Sequence, residues 1–245
     1  MLLLHGFPVD KSMWAAQLDA LTGAGFRAIA PDLRGLGETR SSSEMSTMDN
    51  MARDAAALLD ELKLETAIVC GLSMGGYVAF ELVHLFPSRV RGLVLAGTRA
   101  PADNEQERAG REQQVQTMLR AGLVPISIAT LPKLLSERTR AEKMDVVKRV
   151  RKMITRSDPQ GAAAAQRGMA ARRDYTNDLP NIKAAALIIV GREDPIRPVS
   201  DAEFMHERFP DSRLEIIEDA AHMTNMEQPE KFNELLVSFL NELTH

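Results

Sequence analysis

The sequence predicts an α/β protein with a mostly parallel central sheet, helices on both faces and one long helical insertion. Short apolar runs alternate with longer amphipathic runs along most of the 245 residues, which is typical of a parallel sheet covered on both faces. The alternation stops at Arg99 and resumes after Pro180. Hydrophobic residues make up 44% and charged residues 26% of the chain, the balance of a folded globular protein.

Each predicted element follows from local periodicity and from its flanking breakers. Six apolar runs have the length of buried strands: Met1–Leu4, Phe26–Ala30, Ala67–Cys70, Val90–Ala96, Ala184–Val190 and Arg213–Ile217. Five runs have apolar residues at helical spacing: Ser12–Thr22, Thr47–Leu62, Met74–Phe86, Ser200–Phe209 and Pro229–Leu243. We therefore expect a core made of residues 1–98 and 181–245, with a helical cap at 99–180.

Composition excludes several classes of protein. No apolar run approaches the roughly 20 residues that a membrane-spanning helix needs. The apolar run Met1–Leu4 is also too short for a secretory signal. We therefore expect a cytoplasmic protein with no membrane partner. The single cysteine, Cys70, allows neither an internal disulfide nor a cysteine-built zinc site. A net charge of −4 and an aromatic content of 4% argue against nucleic acid as a partner.

A nucleophilic serine is predicted at position 73. The stretch Gly71-Leu72-Ser73-Met74-Gly75-Gly76 is a G-x-S-x-G motif between a predicted strand and a predicted helix. A sharp turn there would lift the hydroxyl of Ser73 above the sheet edge, and small residues at 71 and 75 would let strand and helix approach closely. A simple glycine-rich turn is the alternative interpretation.

A serine hydroxyl needs a general base, and His222 is the candidate. It follows the last predicted strand, in the sequence Asp-Ala-Ala-His-Met, and so lies at the sheet edge where sites form. The other four histidines are His5, which directly precedes Gly6, His84 and His206 within predicted helices, and His245 at the terminus. The alternative for His222 is a solvated loop histidine.

The acid that orients the base should also follow a strand. Asp194 comes after the run that ends at Val190, and it completes the order Ser73, Asp194, His222 expected of such a sheet. Glu193 is the neighbouring competitor, and a solvated turn carboxylate is the alternative interpretation.

Two backbone N–H groups are expected to bind the oxyanion of a tetrahedral intermediate. One belongs to Met74, directly after the nucleophile. The second belongs to Phe7 in the loop after the first strand, because Pro8 has no N–H group.

These residues together resemble the α/β-hydrolase superfamily. The matching segments are HGFP at 5–8, DLRGLG at 32–37, GLSMGG at 71–76, GREDP at 191–195 and AAHM at 220–223. Within the superfamily the chain is most similar to 3-oxoadipate enol-lactonases and small carboxylesterases. The resemblance implies a cofactor-free, metal-free serine hydrolase of a small ester or lactone. Relatives with an aspartate nucleophile are disfavoured by Ser73.

The sequence leaves open how the edge of the sheet is covered, which reaction the motifs serve and where Trp14 lies. The usual first two strands of the superfamily have no counterpart before Met1, and an edge bared in this way would favour association with a second copy. A cofactor-free haloperoxidase or perhydrolase, or a non-catalytic ligand-binding member, would share the same motifs. Trp14 is either pocket wall or core.

The expected cap has an uneven charge. Residues 99–180 contain sixteen Lys and Arg against ten Asp and Glu, while the rest of the chain contains fourteen against twenty-four. The favoured interpretation is that these cations form solvated helix faces. The alternative hypothesis is that they attract carboxylate-bearing substrates.

Overall fold

The computed structural model describes residues 1–244 and contains, within them, one sheet of five parallel strands in the spatial order β1-β2-β3-β4-β5. The strands are Leu2–Leu4 (β1), Ala67–Leu72 (β2), Val90–Ala96 (β3), Ala185–Gly191 (β4) and Ser212–Ile217 (β5). Every pairing is parallel, so the carboxyl ends of all five strands meet at one edge.

Helices cover the sheet and fill the long insertion. Those of the core are α1 (Ala15–Gly23), α2 (Met48–Glu61), α3 (Met74–Leu85), α9 (Val199–His206), α10 (Thr224–Glu227) and α11 (Pro229–Thr244). Between β3 and β4 lie α4 (Glu105–Ala121), α5 (Val124–Leu134), α6 (Glu137–Glu142), α7 (Met144–Arg156) and α8 (Pro159–Ala170). Short 3-10 turns occupy Lys11–Trp14, Pro87–Arg89 and Leu179–Asn181. The α/β class with a helical insertion is thus confirmed.

The strand predicted at Phe26–Ala30 is wrong. This segment makes one isolated parallel bridge, between Ile29 and Leu2, in which Ile29 donates to the carbonyl of Met1 and accepts from the N–H of Leu3. Because β1 has only three residues and Pro31 follows the segment at once, the pairing cannot extend into a ladder. Residues 26–30 therefore form an irregular edge beside β1.

The core is built from wholly buried strands and from the inner faces of the helices. All residues of β1 and β2 are buried, as expected for strands covered on both faces. Trp14 is fully buried and packs against Phe232 of α11, with 6.0 Å between the ring centroids. It therefore joins the start of α1 to the last helix as a core residue.

The insertion forms a helical layer of its own. Helix α4 packs on α8, and α5 packs on α7. Helix α4 begins at a capping box, in which Asn104 accepts the N–H of Glu107 and the Glu107 carboxylate accepts the N–H of Asn104. In the part of the chain that the structure covers, no helix has the length and apolar character needed to cross a membrane.

Candidate active site

Ser73 lies on a sharp turn between the end of β2 and the start of α3. Its backbone adopts φ 55° and ψ −110°, a conformation that is strained for any residue with a Cβ atom. The surrounding backbone holds it there, because Ser73 donates its N–H to Ala96 at 2.8 Å and accepts at its carbonyl from Thr98 Oγ1 at 2.9 Å. The turn presents the Ser73 side chain at the carboxyl edge of the sheet.

Two glycines make this turn sterically feasible. A Cβ atom on Gly71 would lie 2.2 Å from the carbonyl oxygen of Gly75, and one on Gly75 would lie 2.0 Å from the carbonyl oxygen of Leu4. Both separations are far below van der Waals contact, so no larger residue fits either position. This is the close approach of strand and helix that the G-x-S-x-G spacing predicts.

His222 and Asp194 meet at the same edge. His222 Nδ1 lies 2.7 Å from Asp194 Oδ2, and both side chains are almost completely buried. The other carboxylate oxygen of Asp194 accepts the backbone N–H groups of Ile196 at 2.8 Å and Arg197 at 2.9 Å. Since the ionised carboxylate is only an acceptor, His222 carries its proton on Nδ1, which leaves Nε2 as a basic nitrogen.

The loop that carries His222 is fixed from below by Glu227. This fully buried carboxylate accepts the N–H of Ala221 at 2.8 Å and the N–H of Ser136 at 2.7 Å. Met223 adds a backbone hydrogen bond to the carbonyl of Leu134 at 3.0 Å. The histidine loop is thereby tied to the helical insertion on both sides of His222.

A cavity of about 410 Å³ joins the predicted site residues. The core lines it with Phe7, Ser73 and His222, and the helical insertion lines it with Arg111 of α4 and Met169 of α8. Asp194 does not line the cavity itself but contacts it through His222, with 2.7 Å between Asp194 Oδ2 and His222 Nδ1. The volume is in the range of pockets that enclose small organic ligands.

The predicted oxyanion donors, Phe7 and Met74, lie beside Ser73. Phe7 lines the cavity and Met74 is the first residue of α3. Within residues 1–244 the N–H groups of Phe7 and Met74 donate to no backbone carbonyl. The positive end of the α3 dipole lies at the same place.

His5 supports this loop and is not available as a base. It is completely buried, its Nε2 accepts the N–H of Leu33 at 2.9 Å, and its Nδ1 lies 2.8 Å from the carbonyl oxygen of Gly6. Burial lowers the pKa of His5, which keeps the ring neutral. The residue links the loop after β1 to the segment that contains Asp32, whose carboxylate accepts the N–H groups of Lys11 and Glu38.

The sequence reasoning missed polar residues that line the cavity, chiefly Tyr77, Arg111 and Arg197. Arg197 donates from Nε and Nη2 to the hydroxyl oxygen of Tyr77, at 3.2 and 2.6 Å. Two signals point to these residues: Tyr77 follows Ser73 by one helical turn, and Arg197 follows Asp194 by three residues. Trp14, considered as pocket wall, lies instead in the core against Phe232.

Two groups of cations in the insertion differ in their surroundings. Four on the outer face of α7 are exposed: Lys148, Arg149, Arg151 and Lys152. Arg111 instead enters the cavity and pairs with Asp103, which Arg172 and Arg99 also contact at 2.6 and 3.0 Å. Burial opposes ionisation of Asp103, but hydrogen bonds and charge from Arg111 and Arg172 outweigh it and lower the pKa to about 2.

A larger cavity, of about 660 Å³, opens at the opposite end of the sheet, near Val90 and Ala184. None of the predicted site residues lines it. Within residues 1–244, no three His, Cys, Asp or Glu side chains are grouped so as to hold a metal ion.

Comparison with known proteins places this geometry in a family. The model of the α/β hydrolase fold family matches residues 1–229. The 3-oxoadipate enol-lactonase 1 of Acinetobacter baylyi is 30% identical over 234 residues, which is 96% of this chain and 85% of the lactonase.

Two solved structures are similar over almost the whole chain. A thermophilic esterase from Thermogutta terrifontis superposes with a TM-score of 0.97 at 38% identity, covering 99% of this chain and 89% of the esterase. The enol-lactonase from Burkholderia xenovorans LB400 superposes with a TM-score of 0.91 at 27% identity, covering 98% of this chain and 90% of the lactonase. The chain therefore belongs to the α/β hydrolase fold family, with esterases and enol-lactonases among its relatives.

Proposed function

We propose that the protein is a serine hydrolase that cleaves a small carboxylic ester or lactone through an acyl-enzyme on Ser73. The observation that carries the proposal is the meeting of three groups at one sheet edge. Ser73 and His222 line one cavity, and His222 is hydrogen-bonded to Asp194 at 2.7 Å. The relatives named as esterase and enol-lactonase support the same class of reaction.

In the acylation step, Ser73 Oγ attacks the carbonyl carbon of the substrate while His222 Nε2 takes the hydroxyl proton. The electron pair of the C=O bond moves to oxygen, and the N–H groups of Phe7 and Met74 stabilise this oxyanion. Loss of one such donor typically costs about 3 kcal/mol of transition-state stabilisation. When the intermediate collapses, the leaving oxygen receives the proton from His222. In a lactone the new hydroxyl group remains part of the same molecule as the acyl group.

Deacylation repeats these steps with water as the nucleophile. His222 takes a proton from water, the hydroxide adds to the acyl carbon, and Ser73 leaves with the proton that His222 returns. Asp194 stabilises the imidazolium that forms in both steps. Its carboxylate is held for this role by the N–H groups of Ile196 and Arg197.

Covalent labelling with a fluorophosphonate tests the nucleophile directly. We expect the wild-type protein to be labelled and Ser73→Ala to remain unlabelled, with kcat for a p-nitrophenyl ester lowered at least about 10³-fold. Ser88→Ala, the same chemical change at an exposed position in the turn Pro87–Arg89, serves as the control. Labelling of Ser73→Ala at the wild-type rate contradicts the proposal, and absence of labelling in both proteins favours a ligand-binding member of the fold.

A panel of p-nitrophenyl esters of rising acyl length, together with several lactones, tests the substrate class. A cavity of about 410 Å³ predicts higher kcat/KM for short acyl groups than for long ones. A preference for long acyl chains contradicts a small-substrate enzyme.

A further inference from the structure

We propose that Arg156, at the end of α7 in the helical insertion, is a positioning residue that holds the oxyanion loop in place through Asp10. The oxyanion loop comprises residues 5–10, which connect β1 to the 3-10 turn Lys11–Trp14. The inference rests on the proposed hydrolase function, in which the N–H group of Phe7 in this loop stabilises the oxyanion. It gives the insertion a role in the reaction itself, in addition to enclosing the cavity.

The core of the protein fixes the first half of the oxyanion loop. The side chain of His5 is completely buried, and its Nε2 accepts the N–H of Leu33 at 2.9 Å. After Gly6 the backbone hydrogen bond within the loop runs from the N–H of Val9 to the carbonyl of Gly6 at 3.4 Å, which is long for a bond of this kind. Phe7 lies between these two residues, so the position of its N–H also depends on what holds the second half of the loop.

Asp10 anchors the second half of the loop. Its side chain is almost completely buried, and Oδ1 accepts the backbone N–H of Ser12 at 3.0 Å and the hydroxyl of Ser12 at 2.6 Å. These bonds cap the 3-10 turn Lys11–Trp14. Oδ2 accepts the guanidinium of Arg156, with Nε at 2.9 Å and Nη2 at 2.7 Å. One carboxylate therefore joins the oxyanion loop, the turn and the insertion.

Arg156 is the cation that compensates the charge of Asp10. Among residues 1–244 no other basic nitrogen lies within 4.0 Å of this carboxylate, and the neighbouring Lys11 pairs with Asp32 and Glu38 instead. A buried carboxylate that loses its cation is an uncompensated charge. Without Arg156 we therefore expect Asp10 to turn toward solvent and to draw the oxyanion loop with it.

The contact between insertion and loop continues at Ser157, directly after Arg156. Ser157 is buried, and its hydroxyl oxygen lies 3.1 Å from the carbonyl oxygen of Met153 and 3.4 Å from that of Pro8. A hydroxyl group donates only one hydrogen bond, and the shorter distance assigns it to Met153 of the same helix. Ser157 therefore packs against Pro8, the residue that follows Phe7, and the end of α7 lies directly on the oxyanion loop.

The ion pair with Asp10 distinguishes Arg156 from the other arginines of α7. Arg149 and Arg151 lie at exposed positions, and in the described part of the chain no carboxylate lies within 4.0 Å of either side chain. The side chain of Arg156 is itself 48% exposed, whereas that of Asp10 is 1% exposed. Replacing Arg156 therefore leaves no cavity in the core, and its effect should reach the site through Asp10.

A displaced N–H group at Phe7 should weaken the transition state more than it weakens substrate binding. Donors of an oxyanion hole act where negative charge develops on the carbonyl oxygen, and a misplacement of about 1 Å can lower the rate by about 10²-fold. Acylation and deacylation both pass through an oxyanion, so kcat should fall whichever step limits turnover. A loss that appears in kcat and not in KM is the signature of an interaction made in the transition state.

Steady-state kinetics of Arg156→Gln test the positioning role. We expect kcat for p-nitrophenyl acetate to fall at least about 10-fold, with KM changed by less than about 2-fold. Arg156→Lys, which keeps the charge but not the forked donor, should recover part of the lost kcat. Arg149→Gln, the same chemical change at an exposed position of the same helix, should match the wild type. An unchanged kcat in Arg156→Gln, with or without a rise in KM, overturns the proposal.

Inhibition by 1-butaneboronic acid separates a displaced oxyanion loop from general damage. The Ser73 oxygen adds to boron, its proton passes to His222, and one oxygen of the tetrahedral boronate takes the oxyanion position. The inhibition constant should rise at least about 10-fold in Arg156→Gln and stay unchanged in Arg149→Gln, with far-UV circular dichroism confirming that both variants are folded. An unchanged inhibition constant in Arg156→Gln contradicts the positioning role. Fluorophosphonate labelling of Ser73 in the wild type would then leave the proposed function standing and remove the role of Arg156 alone.

Discussion

The carboxylate of Glu227 accepts the backbone N–H of Ala221 at 2.8 Å, one residue before His222. Its second oxygen accepts the N–H of Ser136 at 2.7 Å. One buried side chain therefore satisfies two backbone donors from segments that lie 85 residues apart in the chain. The position of His222 thus depends on the helical insertion as well as on the sheet.

Replacing Glu227 by alanine should impair both stability and turnover. Two buried N–H groups lose their acceptor, and each unsatisfied group costs about 1–3 kcal/mol. We expect the free energy of unfolding in urea to fall by roughly 2–6 kcal/mol, and kcat to fall more than KM rises because His222 loses its support. Glu61→Ala, an exposed carboxylate at the end of α2, is the control. A kcat equal to that of the wild type would show that the loop is held by other contacts.

The glycines of the turn give a second prediction. Gly75→Ala places a methyl group 2.0 Å from the carbonyl oxygen of Leu4, so β1 or α3 must move and we expect little folded protein. Gly110→Ala in α4 introduces the same methyl group where no atom lies within 4 Å. It should raise the free energy of unfolding by about 0.5–1 kcal/mol. Thermal unfolding of both variants tests the prediction. A melting temperature of Gly75→Ala equal to that of the wild type contradicts it.

Local patterns were enough to predict the order of most strands and helices, because the spacing of apolar residues differs between a buried strand and an amphipathic helix. The segment 26–30 failed for a non-local reason: its partner, β1, has only three residues. The Ser73 turn could be predicted because strand and helix approach so closely there that positions 71 and 75 accept only glycine. The spacing of Arg197 from Asp194 places it near the site, but this spacing does not show that its guanidinium turns inward to contact Tyr77 of α3.

The edge beside β1 predicts self-association. Ile29 directs its N–H and carbonyl toward β1, so the flanking residues Ala28 and Ala30 direct theirs away from the sheet. Unpaired edge groups of this kind promote pairing between chains. We expect the mass measured by light scattering to rise with protein concentration, and Ala28→Lys to suppress the rise. Ala121→Lys at the exposed end of α4 is the control; a constant monomer mass in the wild type contradicts the prediction.

The arginine cluster around Asp103 predicts a specific loss of stability in acid. In the folded protein the pKa of Asp103 is lowered to about 2 from an ordinary value of 3.8. A carboxylate with a lowered folded-state pKa contributes stability that is complete above its unfolded pKa and is lost as the pH falls through the folded one. This contribution should therefore disappear between about pH 4 and pH 2, and it is on the order of 2 kcal/mol.

Asp103→Asn isolates this effect from the titration of other carboxylates. The variant should be less stable than the wild type at pH 7, because Arg111, Arg172 and Arg99 lose their shared counter-ion. The difference in unfolding free energy should shrink as the pH is lowered from 4 to 2, because protonation then removes the same charge from the wild type. Urea unfolding at a series of pH values measures the difference, with Asp211→Asn, an exposed carboxylate, as the control. A difference that is independent of pH would mean that Asp103 acts through packing rather than through its charge.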